Sequence, residues 1–360
     1  MTEDALMWTK KGDDRSHRKT YVSRKLPVKG KAALMTPNTE VLSPDDRELF
    51  QDAWNTTRSL HGTDITFYLP GMIRYGRDRG KYPAVSITGD RCDLQCDHCR
   101  GRLLRPMIPA ERPSELIEKA RLLKQRGAYG ILLSGGSDRE GRLPWKRFTP
   151  AIRRISAETG LTLTAHAGFP DAEDCELLRR AGVRQALIDV MGDDETATRV
   201  YHLHSLDRVI RSLDALSGSG LPLAPHIVAG LDHGRMRAEL RALEIIRTYD
   251  PAVVVIVVLT GLPGTPMASV KPPPALEIAR LIARARLLMP GVPLCLGCER
   301  PRNRDGELLE ILALNAGITG MAVWSEEAVT EARRLGLRPR FQATCCSLPF
   351  HAPFSCKGPG

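Results

Sequence analysis

Hydrophobic and polar positions along the chain fall into two textures. Up to about residue 43 the sequence is polar, basic and interrupted by Pro27, Pro37 and Pro44. Ser43-Pro44-Asp45-Asp46 then supplies an N-cap, a proline for the first helical position and two acids for the first turn, so Pro44 to His61 reads as a helix. Ile65 to Tyr68 reads as a short strand, broken by Leu69-Pro70-Gly71. From residue 83 onward β-rich runs alternate with amphipathic stretches. The runs are Ala84–Thr88, Gly130–Ser134, Leu161–His166, Gln185–Val190, Leu223–Ala229, Val253–Leu259, Pro293–Gly297 and Ile318–Val323. The stretches between them include Pro113–Gln125 and Asp171–Ala181; in the second, Cys175, Leu177 and Leu178 share a face and Gly182 marks the stop. Val253–Leu259 is continuous and β-branched, the pattern of a parallel strand covered on both faces.

Strands and helices in this alternation predict an α/β fold, a (β/α)8 barrel over residues 83–336, with a doubly wound open sheet as the alternative. Residues 1–43 read as a basic N-terminal segment and 44–82 as a helical extension. Residues 337–360 lack periodicity and read as a loop-rich tail that holds three cysteines.

Composition narrows the function classes. The longest apolar run, Ala252 to Leu259, falls far short of the ~18 residues of a membrane span. The opening MTEDALMWTKKGDD has no apolar core of a secretory signal, so a cytoplasmic, membrane-free protein is expected. Lys and Arg number 52 against 42 Asp and Glu, a net charge of +10, part of it concentrated between Lys10 and Lys31. A solvated tail or an acidic protein partner accounts for this charge. Nucleic acid finds no support, because no RRM, KH or zinc-finger pattern is present and aromatics are only 5%.

The nine cysteines carry the chemistry. Thiols stay reduced in the cytosol, so clustered cysteines there point to metal rather than to disulfides. Cys92, Cys96 and Cys99 form a CxxxCxxC loop directly after the first strand of the alternation. Three thiolates can bind three irons of a [4Fe–4S] cube and leave the fourth open to a small chelating molecule. A zinc site completed by His98 is the other metal reading. Cys175 stands alone on a helix face and reads as core. Cys295 and Cys298 end the seventh strand, while Cys345, Cys346 and Cys356 lie in the tail, which could fold back over the barrel mouth. These thiols suggest an auxiliary iron–sulfur cluster, against the reading that they are simply buried.

The CxxxCxxC loop resembles the signature of the radical S-adenosylmethionine (radical SAM) superfamily, with His98 in the slot usually held by an aromatic. Ser134-Gly135-Gly136-Ser137-Asp138, after the second strand, resembles the superfamily's GGE-type loop for the SAM amine; a plain turn is the alternative. His166 at the end of strand three, His226 in strand five and the PGT-like Gly261-Leu262-Pro263-Gly264-Thr265 after strand six are softer matches. The resemblance implies that SAM chelates the open iron and is cleaved reductively to a 5′-deoxyadenosyl radical. It also implies a small electron-transfer protein as reductant.

Within the superfamily, the barrel, the PGT-like loop and the late cysteines resemble the biotin/lipoyl synthase branch of sulfur-inserting enzymes. Phe67-Tyr68-Leu69-Pro70-Gly71, the block from Ser86 to Cys99, Leu296-Gly297-Cys298-Glu299-Arg300-Pro301 and Cys345-Cys346 look like the archaeal-type lipoyl synthases, which work as a pair of radical SAM proteins. No cysteine precedes Cys92, whereas the single-protein lipoyl synthases place auxiliary cysteines there. The resemblance implies sulfur insertion into an octanoyl chain on an acidic carrier, either a lipoyl domain or a glycine-cleavage H-type protein. A second radical SAM lipoyl synthase component would be the partner. A biotin-synthase-like or hydrogenase-maturase-like enzyme acting on a small molecule is the alternative.

Overall fold

The structure is a computed structural model that describes residues 42–349. The basic run between Lys10 and Lys31, and Cys356, lie outside the described residues. Helix α1 (Pro44–His61) is followed by strand β1 (Asp64–Tyr68) and a small antiparallel hairpin, β2 (Arg74–Tyr75) and β3 (Asp78–Arg79). Strand β4 (Ala84–Ser86), the two-residue β5 (Ile108–Pro109) and helix α2 (Pro113–Gln125) come next. The alternation continues through β6 (Gly130–Ser134), α3 (Trp145–Thr159), β7 (Thr162–His166), α4 (Ala172–Arg180) and β8 (Gln185–Asp189). Then come α5 (Asp194–Arg199), α6 (Asp207–Ser219), β9 (Leu223–Ala229), α7 (Glu239–Ile246), β10 (Val254–Val258) and α8 (Ala275–Leu288). The chain closes the series with β11 (Leu294–Leu296), α9 (Arg304–Asn315), β12 (Gly320–Ala322), α10 (Glu326–Arg334) and β13 (Arg338–Gln342).

Local chemistry explains the element ends. The Ser43 side chain accepts from the Asp46 amide at 3.1 Å, as the cap pattern predicts for α1. Asp171 caps α4 in the same way at 2.9 Å, and Gly182, at φ +94°, takes the left-handed position past its end. Asp46 also accepts two bonds from Arg280 of α8, at 2.6 and 2.8 Å, which hold its carboxyl down to about 2 and fasten α1 to the outer layer.

All eight strands foreseen between residues 84 and 323 lie in one parallel sheet, ordered β13-β1-β12-β11-β10-β9-β8-β7-β6-β4-β5. The sheet curls, and strand alternation gives it two faces. Val254, Ile256 and Val258 of β10 pack outward with the helices, whereas Val255 and Val257 point into the curl. Leu132, Leu187, Ala224, Cys295 and Ala322 join them from five other strands. Short helices and close-packed aliphatic side chains fill the outer layer, as the low aromatic content requires.

Two features differ from the sequence expectation. The ladder does not close on itself, because β1 pairs in parallel with β12 and then with β13, extending the sheet past the eighth barrel strand. The stretch read as loop from residue 337 therefore begins with a strand. Its pattern, Arg-Pro-Arg-Phe-Gln, conceals this: both arginines are exposed, and Pro339 is tolerated because β13 is an edge strand. Asp64 of β1 pairs with Arg338 at 2.9 Å and with Arg340, which fixes the register. Across the remaining gap, the Lys81 amide donates to the Ala343 carbonyl at 2.8 Å, joining the end of β13 to the approach to β4.

The second difference is the path of residues 343–349. They do not lie over the mouth; they run inside the curl. The Gln185 side chain donates to the Ser347 carbonyl at 3.0 Å and the Tyr68 hydroxyl to the Leu348 carbonyl at 2.8 Å. Cys345 and Cys346 are consequently buried among the inward residues of the sheet.

Candidate active site

The loop between β4 and β5 carries Cys92, Cys96, His98 and Cys99 at the carboxyl ends of the strands, where parallel α/β folds place their chemistry. Backbone bonds wind it tightly: the amides of Cys99 and Arg100 both donate to the Cys96 carbonyl, at 3.1 and 2.9 Å. Gln95 adopts a positive φ of 49°, and its side chain donates to the Cys92 carbonyl. The ligand atoms of Cys96, His98 and Cys99 lie within 4.8 Å of one another. A hydrogen bond from Cys96 holds the Cys99 thiol down to about 4 against the cost of burial, and His98 adds to the effect. The lowered Cys99 favours the thiolate, the form that iron binds. The Cys96 thiol is correspondingly raised.

His98 packs its ring on Tyr201, with centroids 4.9 Å apart, and its buried Nδ1 has no hydrogen-bond partner among the described residues. It behaves as the aromatic that this slot usually holds. The Tyr201 carbonyl accepts from the Cys96 thiol at 3.7 Å.

The glycine turn after β6 meets this loop directly. A Cβ at Gly136 would overlap the Arg91 carbonyl and come within 2.5 Å of the Cys92 Cβ, so only glycine permits the approach. The Gly136 amide donates to Thr88 at 2.6 Å, and the Asp93 amide donates to the Ser137 carbonyl at 2.7 Å. Ser134 is buried at the strand end and Gly135 lies against Thr88 and Leu143. Asp138 is exposed, and its Oδ1 accepts from the amides of Glu140 and Arg142 at 2.9 and 2.8 Å. That oxygen builds the turn. A cleft of about 690 Å³ runs alongside, lined by Thr88, Arg91, Cys92, Gly136, Ser137 and Asp138 among others.

His166 and His226 face each other inside the curl, with ring centroids 5.6 Å apart. Asp189, at the end of β8, lies 3.5 Å from the His166 Nε2 and accepts the Tyr201 hydroxyl at 2.9 Å. Burial opposes the ionisation of Asp189, yet His166 holds its carboxyl well below the ordinary range. Burial likewise opposes protonation of His166, and Asp189 outweighs it, so that imidazole is raised. Burial and the charge of His166 push His226 down to about 4. Asp189 and Tyr201 were not singled out by sequence reasoning. A strand-terminal acid at the carboxyl edge was the available signal for the first; Tyr201 is distant in sequence from the loop it supports.

The late thiols converge in the interior. Cys295 and Cys346 lie within hydrogen-bonding reach, as do Cys346 and Cys345, and Cys298 is close enough to raise the Cys346 thiol further. Burial pushes Cys298 up to about 11. The loop after β11 is clamped by Arg300, fully buried, which pairs with Glu310 at 2.6 Å and donates to the carbonyls of Gly297 and Ala322 at 2.5 and 2.7 Å. Cys175, by contrast, is wholly buried in the outer core, as its isolated position predicts.

Comparison with known proteins agrees with this geometry. Residues 86–243 match the family model of the Radical SAM superfamily. The biotin synthase of Pelotomaculum thermopropionicum is 26% identical over 297 residues, covering 80% of this chain and 85% of the relative. The biotin synthase of Haemophilus ducreyi is 30% identical over 216 residues, covering 57% and 63%. Among solved structures, methylornithine synthase (PylB) shares the fold with a TM-score of 0.59 and 17% identity, over 83% of this chain and 91% of that one. The [FeFe]-hydrogenase maturase HydG from Carboxydothermus hydrogenoformans does so with a TM-score of 0.58 and 14% identity, over 83% and 73%. Cys92, Cys96, Cys99 and the glycine turn all fall within the matched segment, and the donor set fits the S-adenosylmethionine and [4Fe–4S] cluster that this superfamily uses. Among the described residues, no helix is long and apolar enough to cross a membrane.

Proposed function

We propose that the chain is a radical SAM enzyme that inserts sulfur into an octanoyl chain carried on a protein lysine, as one component of a two-protein lipoyl synthase. The observation that carries this reading is the convergence of Cys295, Cys298, Cys345 and Cys346 inside the curled sheet. Cys92, Cys96 and Cys99 would hold the catalytic cluster, which with SAM supplies a radical able to take hydrogen from an unactivated carbon. Cys295, Cys298, Cys345 and Cys346 would hold an auxiliary cluster as the sulfur source. Leu132 and Val257, partly buried on the inner face of the sheet near these thiols, are backed by the closely packed Leu187, Ala224, Val255 and Ala322, an apolar wall suited to an alkyl chain. The same wall keeps water from a reactive carbon. Gly136 lets the backbone of the turn close on the thiol loop at Cys92, and Asp189 orients Tyr201, which in turn supports His98.

The test is anaerobic incubation of the reconstituted chain with SAM, dithionite and an octanoyl-lysine peptide, read by mass spectrometry. A singly thiolated peptide from this chain alone, completed to lipoyl by a second radical SAM component, is the expected result. Absence of sulfur addition under any pairing, with SAM cleavage intact, removes the octanoyl reading. A second reading has its own support: the relative that spans four-fifths of the chain is named a biotin synthase, and so are others that match half to two-thirds of it. Sulfur addition to the sulfur-free precursor of biotin, in place of the peptide, would select it.

A further inference from the structure

The loop bearing Cys92–Cys99 follows β4, and the loop Gly261–Thr265 follows β10; β6, β7, β8 and β9 stand between those strands in the sheet. The two loops nevertheless touch. A Cβ at Gly264 would lie 2.7 Å from the Arg102 Cζ, so the guanidinium rests against a bare glycine backbone held at φ +75°. Strands this far apart in a curled sheet face each other across its mouth, so Arg102 reaches over the opening.

Among the described residues, the charge of Arg102 is uncommitted. Arg91 pairs with Glu111 at 2.9 Å and Arg100 with Asp97 at 3.0 Å, on the same loop. The Arg102 guanidinium has no acceptor among the described residues, although the side chain is half-buried. Beside it Leu103 is one of the few large apolar side chains left exposed among the described residues. An arginine with no acceptor among the described residues, next to an exposed leucine at the mouth of the curled sheet, is free to meet an anionic surface.

We propose that Arg102 reads a carboxylate on the surface of the acidic carrier that presents the substrate chain through the mouth, with Gly264 as the platform that sets its guanidinium. This rests on the carrier-bound substrate of the proposed function. A free acid entering the same mouth would show the same charge dependence without a carrier, so the two sources separate by experiment. A neutral alkyl amide alone gives Arg102 nothing to pair with, and the discrimination must come from the carrier.

Binding of an octanoylated lipoyl domain is measured by calorimetry on the reconstituted chain, at low and at physiological salt. A neutral octanoyl-lysine peptide and free octanoate serve as the other ligands. Arg102→Gln is expected to weaken the carrier about tenfold and to flatten its salt dependence, with the neutral peptide unchanged. Arg102→Lys should recover part of the loss, and Gly264→Ala, which displaces the guanidinium, should reproduce it. Iron counts and the cluster's electron paramagnetic resonance spectrum report that the neighbouring thiol loop is intact in each variant. Equal loss for the neutral peptide, a loss seen only with free octanoate, or no carrier binding by the wild type overturns the proposal. Because binding is read without turnover, a failure of sulfur insertion with charge-dependent carrier binding intact would defeat the proposed reaction and leave this contact standing.

Discussion

Cys92, Cys96 and Cys99 reach their site from one short loop, whereas Cys295, Cys298, Cys345 and Cys346 are gathered from the end of β11 and from a segment beyond β13. The first group is held by bonds within the loop itself and needs only β4 and the glycine turn behind it. The second exists only once the sheet has curled and residues 343–349 have entered it. Their acidities differ in one member: the first group holds a lowered thiol, Cys99 at about 4, beside a raised Cys96, while in the second Cys298 is raised to about 11 and Cys345 and Cys346 are raised as well. A site built from local geometry can hold one thiolate ready for metal in advance. One assembled from distant, buried thiols must give up protons as the metal arrives.

The contrast is broken most severely by removing thiols from one group at a time. Cys96→Ala is expected to abolish 5′-deoxyadenosine formation, measured by chromatography after anaerobic incubation with SAM and dithionite. Retained cleavage would remove the catalytic role of the loop. Joint replacement of Cys298, Cys345 and Cys346 by Ala should instead lower iron by about four atoms per chain while uncoupled SAM cleavage persists. Unchanged iron would return those residues to the status of buried thiols.

A smaller effect is expected from Gly136→Ala. The added methyl meets the Arg91 carbonyl and Cys92, and must push the thiol loop away from the turn. SAM cleavage should fall by about 10²-fold, the usual cost of an ångström-scale misplacement, with the interior cluster's iron retained. A variant with wild-type cleavage would show that the turn and the loop move together.

The subtlest comparison is in acidity. Below its pKa a thiol gains thiolate tenfold per pH unit, and above it the fraction is flat. In the metal-free protein, iodoacetamide should modify Cys99 at a rate nearly constant between pH 6 and pH 9. Modification of Cys298 should rise steeply over the same range. Peptide mapping reads both rates in one sample, and parallel profiles would erase the distinction.

The sequence made the mouth site legible because CxxxCxxC, Ser134–Asp138 and the strand ends around them are short-range patterns. The eight barrel strands were legible for the same reason, since buried parallel strands are continuous apolar runs. β13 was not, because an edge strand with exposed arginines at alternate positions and a proline has the composition of a loop. The open ladder was hidden too: nothing local in Ile65–Tyr68 says that its partners are β12 and β13. The meeting of Arg102 with Gly264 belongs to the same class, a contact between loops that only the curvature of the sheet brings together.

The pairing of β1 has a bearing on how the molecule comes into being. Asp64 is matched with Arg338 and Thr66 with Gly320, so this strand waits for partners made roughly 250 to 275 residues later. Until they emerge, Ile65 and Phe67, both fully buried in the finished protein, have no sheet to join. Such distant pairing slows folding and leaves an apolar edge open to neighbouring chains on the ribosome. A nascent-chain binder that covers residues 64–68, or slow translation through the last strands, would therefore govern how much of this protein ever reaches the state in which its interior thiols meet.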